Sequence, residues 1–418
     1  MNALTLRLTV ASAALVLAVG SVQAQGKTTL KAPSWMWEEG QVGEWFKRNT
    51  AGFEAANPRI AVDKTQISPG DYEKVVTTQI AGGAAPDLMP VFTSMLAPMI
   101  KAKALAPLDS CIASGNFKDR LLPSVNFAQI DGKTYGVPLT MSPWSMVVNK
   151  KLLADNGLAV PKTVDDLYAM SKALKQKTGA YGYAFGNDMS APIHVYINAM
   201  QWVIGFGSDW SKADGTITAN DPKNVEAVTW IKRFMDEGLS PVGLGVVPAR
   251  QLFLDGKVAV MFEGPWLMTQ IQGSKPEMMA HVDFDVVPTP THAAITGGAF
   301  YTIPAAAKYP KEACDLLTAF MGVDAQRRWL EDLKQIPGSV VKASPAFLAN
   351  NAWVGKMADI AAKYPGGIGY APPGYPVQAA EFRQQVVDAL SKIYSGKTSV
   401  KDGLDELQSR LKKWSSTL

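Results

Sequence analysis

The apolar positions of this chain switch repeatedly between a period near two and a period near 3.6. Thr28 to Ala32 reads as a strand, and Val42, Trp45, Phe46 and Phe53 then recur at helical spacing until Asn57-Pro58 ends the run. Ile60 to Gln66 reads as a second strand. Asp71 to Ala81 places Tyr72, Val75, Val76 and Ile80 on one helical face before Gly82-Gly83, and Asp87 to Phe92 is a third strand. Strand, helix, strand, helix, strand predicts a largely parallel sheet with a crevice at the carboxyl ends of its strands.

Beyond Asp131-Gly132, Lys133 to Val137 and Trp144 to Val148 are strand-like. Asn149 to Lys177 is helical, with Thr163 and Asp166 spaced as a capping box. A helix opens at Asp221-Pro222 and buries Val225, Val228, Ile231 and Phe234. Gly179 to Gly207 is rich in aromatic residues and glycine without a clear period. Lys257 to Phe262 is a strand-length run stopped by Gly264-Pro265, which leaves Glu263 and Trp266 at its end. Such a carboxylate can accept hydroxyl hydrogen bonds while the indole offers a flat apolar face to a sugar ring, although Trp266 in a core and Glu263 in solvent fit the spacing equally well. Later come a strand at Phe284 to Val287, a helix from Pro310 with Ala313, Leu316, Leu317, Phe320 and Met321 on one side, a Tyr364 to Pro376 loop, and a last helix capped by Ser399.

A length of 418 residues implies two or three domains. The first residues stand apart. Arg7, an apolar run from Leu8 to Val19 too short to span a bilayer, and Val22-Gln-Ala24 form an export signal, expected to be cut after Ala24. The first cysteine is Cys111, so no lipid anchor is expected at the new N-terminus. A net charge of +4, evenly spread, gives no reason to expect nucleic acid as a partner. Cys111 and Cys314, in an exported chain, admit one disulfide or two buried thiols.

Asp131-Gly-Lys-x-Tyr-Gly-Val-Pro138, Val148-Asn-Lys-Lys-Leu-Leu153, Gly157-Leu with Pro161-Lys-Thr163, the Gly256 to Trp266 stretch, Gly297-Gly298, Lys311-Glu-Ala313 with Gln326, and Ser395-Gly396 occur in that order. Together with the export signal they make the chain resemble the extracellular solute-binding proteins of ATP-driven sugar importers, the maltose-binding-protein-like family. The resemblance implies an α/β fold of two lobes with crossing hinge strands and a ligand cleft between them. One lobe would be 25–143 with 297–342, the other 144–296 with 343–418, and the crossings would fall near Ser142 to Met146, Ala294 to Gly298 and Ala343 to Asn350. Both cysteines then share a lobe. It also implies a sugar or polyol as ligand, a membrane permease as partner, a soluble monomer in the periplasm, and no metal or cofactor.

Carried over residue by residue, the resemblance makes Trp266 a stacking tryptophan and Glu38 a hydroxyl acceptor, with Glu39 equally placed. Phe300 and Tyr301 would face the cleft after the crossing glycines, and His194 or Tyr196 would supply an aromatic cluster. Trp35 and Trp37 from the first loop, Trp144 at the first crossing, Glu263 with Gly264, and Tyr370 complete the expected site. The chain departs from the family pattern at Val91, at Ser94, and at Arg383, which stands where a stacking tryptophan is expected. An arginine there admits a second ligand class, a phosphorylated polyol such as glycerol 3-phosphate or another small anion.

Enzyme readings lack parts. Ser339-Val-Val-Lys342 and Lys177-Thr-Gly179 match two penicillin-recognising motifs in reversed order, with no Ser-Asp-Asn. The histidines, His194, His281 and His292, sit in no H-E-x-x-H, and no G-x-S-x-G occurs. Glu38 with Glu263 could imitate the carboxylate pair of a secreted glycoside hydrolase, yet the resemblance puts them on opposite lobes.

Overall fold

The structure, a computed structural model, describes residues 27–68, 71–368 and 371–418. The expected export signal and Tyr370 lie outside the described residues.

Strand Thr28–Lys31, helix Gly40–Ala56, strand Ile60–Asp63, helix Tyr72–Ala81 and strand Met89–Phe92 follow the predicted order. The first two strands pair in parallel. The third differs from expectation, because Met89–Phe92 pairs antiparallel with the long strand Ala294–Thr302. The Asp87 and Leu88 amides reach the carbonyl of Lys31, but Pro90 has no N–H with which to continue that ladder.

Helix ends obey local chemistry. Thr163 and Asp166 form the predicted capping box. Asp221 accepts from the Lys223 amide with Pro222 in the first turn, and Ser399 accepts from Asp402. The aromatic stretch after Gly179 contains a helix, Pro192–Gly205, buried from Val195 to its end. Because the helix is buried on almost every side, apolar residues fill most of its positions and even Asn198 and Gln201 lie inside, so hydrophobicity marks no single face clearly. Part of the Tyr364 to Pro376 loop is a short strand, Pro365–Ile368, alongside the long strand.

Among the described residues the buried apolar side chains form three clusters, two of which share one sheet and make a single core, so that two cores result. One gathers side chains from Leu30 to Met141 and from Ala299 to Leu333. The other gathers residues from Trp144 to Ile295 and from Trp353 to Leu411, around a sheet in which Ser145–Asn149 and Val258–Glu263 are central. The strand Ala294–Thr302 serves both: Ile295 belongs to the second core, Ala299 to Tyr301 to the first. It pairs antiparallel with Val137–Pro143, and beyond that strand the Trp144 amide donates to Ile295 at 2.8 Å. The two strands approach so closely that a Cβ at position 298 would lie 2.2 Å from the Thr140 carbonyl, so glycine is required there.

The two cysteines are joined. The Cys111–Cys314 disulfide spans 203 residues and ties helix Asp109–Ser114 to helix Pro310–Phe320 beside the first core.

Candidate functional site

A cleft of about 440 Å³ lies between the two cores. Trp35, Glu39, Glu73, Phe92 and Ser94 line it from the first; Trp144, Ile193, His194, Arg250, Trp266 and Arg383 line it from the second. Thr140, Gly298, Trp329 and Gln335 complete it. A larger hollow, about 590 Å³, is bounded by Thr28, Arg59, Lys311, Glu312 and Asp315 on the first lobe alone and has no aromatic wall. Apolar faces with a few convergent polar groups mark the cleft as the better ligand site.

Each wall is built by local structure. The loop after the first strand is held to the second, since the Ser34 amide donates to Thr65 at 3.0 Å and the Gln66 amide group donates to the Trp35 carbonyl at 2.9 Å. Trp35 then stacks on Phe92 at 4.2 Å and meets Tyr72 edge-on at 4.7 Å. Glu39 precedes helix Gly40–Ala56 and stays open to solvent. The surrounding protein of the cleft nevertheless pushes its carboxyl above the usual glutamate range, and the positive charge of Arg250 partly offsets this.

On the other wall, Trp266 sits in the first turn of helix Pro265–Ser274 and packs edge-on to Trp144 at 5.4 Å. Its Nε1 donates to Glu263 Oε2 at 2.5 Å. Arg250 holds the same carboxylate at both oxygens, at 2.9 and 3.1 Å. His194, in the first turn of helix Pro192–Gly205, is held below the ordinary histidine range by burial and then by Arg250, with Glu263 acting in the opposite sense.

Of the residues singled out from sequence, Trp35, Ser94, Trp144, His194, Trp266 and Arg383 come together at the cleft. The others are elsewhere. Trp37 is buried, donates to the Ala32 carbonyl at 2.7 Å and packs on Phe46. Glu38 points away into solvent and pairs with Lys47 at 2.9 Å, so Glu39 takes the cleft position. Tyr196 lies inside the second core; Phe300 and Tyr301 alternate to opposite faces of their strand, yet both faces are covered, Tyr301 packing on Phe46 and Phe320, so neither ring reaches the cleft. Glu263 is 1% exposed and occupied by Arg250, Trp266 and the Gly264 amide, while Gly264 serves the turn beneath the indole.

Glu73, Thr140, Arg250 and Gln335 were not singled out from sequence. One signal existed for Arg250, the first charge after the uncharged run 239–249. The rest depend on contacts between segments far apart in the chain.

Among the described residues no cluster of three or more His, Cys, Asp or Glu is arranged to hold a metal ion, and no helix is long and apolar enough to cross a membrane. Aromatic faces and hydrogen-bonding groups contributed by two lobes suit a hydroxyl-rich guest with apolar C–H faces.

The chain matches the bacterial extracellular solute-binding protein family over residues 37–327. It is 26% identical over 393 residues to a binding protein of Brucella abortus, covering 91% of this chain and 92% of the relative. It is 24% identical over 363 residues to the diacetylchitobiose binding protein of Streptomyces coelicolor, covering 83% and 80%. Its fold superposes on the acarbose-binding GacH receptor of Streptomyces glaucescens with a TM-score of 0.81, at 22% identity, covering 93% of this chain and 98% of the receptor. The match spans well over half of the sequence, and the chain belongs to the bacterial extracellular solute-binding protein family.

Proposed function

We propose that the chain is a periplasmic substrate-binding protein that captures a carbohydrate, a mono- or oligosaccharide or a related polyol, by closing two lobes and delivers it to the permease of an ATP-driven importer. It acts as a soluble monomer after loss of 1–24, with lobes formed by 25–143 with 297–342 and by 144–296 with 343–418. The two hydrophobic cores support that division. The observation that carries the reading is a cleft with tryptophans from both lobes, Trp35 and Trp329 from the first and Trp144 and Trp266 from the second, amid polar groups from both. The diacetylchitobiose-binding relative supports the ligand class. A ligand bridging both walls stabilises the closed state by its differential affinity for it.

The test is a thermal-shift screen of saccharides and polyol phosphates, since a ligand that binds only the folded chain raises its melting temperature. Recovery of the bound saccharide unaltered supports a receptor, and turnover supports a secreted hydrolase. Arg383 in the cleft favours a second reading, a phosphorylated polyol. Arg250 is neutralised by Glu263, and Glu39 and Glu73 face the same space, which favours the uncharged guest. Affinity falling steeply with salt would select the anion.

A further inference from the structure

Glu263 lies at the end of the central strand Val258–Glu263 and is 1% exposed. An isolated carboxylate at that depth would be costly, and here it has three sets of donors. Arg250 binds both oxygens at 2.9 and 3.1 Å, the Gly264 amide reaches Oε2 at 3.2 Å, and the Trp266 indole reaches the same oxygen at 2.5 Å. Arg250 and Trp266 line the cleft and Glu263 stands behind them.

The indole has one donor and no acceptor. With that N–H turned into the lobe, Trp266 meets the cleft through ring carbon. Its six-membered ring folds over Gly264, where a Cβ would lie 2.1 Å from Cη2, and Trp144 abuts it at 5.4 Å. The ring is thus restrained by a hydrogen bond, a backbone and a second indole.

We infer that Glu263 is a positioning residue for the binding site: through Nε1 it orients Trp266 as an apolar platform, and through both oxygens it fixes Arg250 at the same wall. The inference rests on the reading of the cleft as a saccharide site. It gives the buried carboxylate a role different from that of accepting ligand hydroxyls, and it makes Trp266 a surface for the C–H face of a ring instead of a hydrogen-bond donor.

The experiment is a double-mutant cycle on the affinity for the saccharide found in the thermal-shift screen, together with near-UV circular dichroism of the unliganded proteins. Glu263→Gln is expected to lower affinity about tenfold in the wild-type background and less than about threefold beside Trp266→Ala, because the two act through one platform. Equal factors in both backgrounds would overturn the inference. Trp266→Phe keeps a ring and loses the N–H, so it is expected to bind several-fold more weakly, and wild-type affinity would also overturn the inference. This variant decides the matter if Glu263→Gln does not fold.

The dichroism requires no ligand and separates this inference from the assignment of function. Bands removed by Trp266→Phe are expected to be altered by Glu263→Gln as well. Their survival would exclude a positioning role even if a saccharide binds, whereas their alteration with no saccharide bound would fault the ligand class alone.

Discussion

The Thr269 hydroxyl donates to the carbonyl of Leu333 at 2.9 Å, joining helix Pro265–Ser274, which carries Trp266, to the end of helix Val323–Leu333. Leu333 packs in the first core and Leu267 and Met268 in the second, so this bond crosses between lobes. The next residue, Lys334, has a left-handed backbone with φ of 55° and reaches Gln272 on the same Trp266 helix. Two residues on, the Ile336 carbonyl accepts from Thr140 at 2.9 Å. The stretch 333–336 therefore holds the aromatic platform to the opposite lobe. Thr269→Val, which keeps the shape and removes the donor, is expected to cost about 1 kcal/mol in chemical denaturation. It is also expected to enlarge the radius of gyration of the unliganded protein; unchanged values in both would make the bond incidental.

Trp266→Ala removes the platform itself. A loss of roughly 2 kcal/mol in binding, a factor near thirty, is expected by titration calorimetry with a saccharide ligand. An unaltered dissociation constant would remove Trp266 from the site.

The Cys111–Cys314 bond closes a long loop within one lobe, and neither cysteine lines the cleft. Replacing both with alanine is expected to lower stability by roughly 2–5 kcal/mol while leaving ligand affinity within about twofold. Denaturation and titration of the same preparation check both halves of this expectation.

Asp209 precedes Trp210 in the second lobe, and burial pushes its carboxyl from an aspartate's ordinary 3.8 up to about 7, against hydrogen bonds from the Trp210 and Ser211 amides. A folded-state value above the unfolded one means that the folded chain holds the proton more tightly. Its contribution to stability is complete below 3.8 and is lost as pH rises through about 7. Asp209→Asn keeps an acceptor for the Trp210 amide without a charge. The drop in melting temperature between pH 5 and pH 8 is therefore expected to be smaller in the variant than in the wild type, and equal drops would refute the role of Asp209.

How much of this was legible in the chain depended on the range of the interactions. The capping box at Thr163 and the Asp221 and Ser399 caps involve neighbours in sequence and were readable directly. Trp266 was readable because a strand-ending glycine and proline place it, and Trp35 because it follows the first strand. The orientation of side chains was harder: Glu38 and Glu39 are adjacent, yet the start of helix Gly40–Ala56 sends one to Lys47 and the other to the cleft. Phe300 and Tyr301 depended on what covers the two faces of their strand, and both faces are buried. Glu263 was identified as important from its place at the strand end, but its partner Arg250 reaches it through tertiary packing and occupies both carboxylate oxygens, which sequence spacing does not reveal.

Small-angle X-ray scattering, with and without the saccharide that raises the melting temperature, tests capture by closure most directly. A smaller radius of gyration with the bound saccharide, absent with sugars that do not bind, is the expected result. An identical scattering curve at saturation would contradict a cleft that closes on its guest.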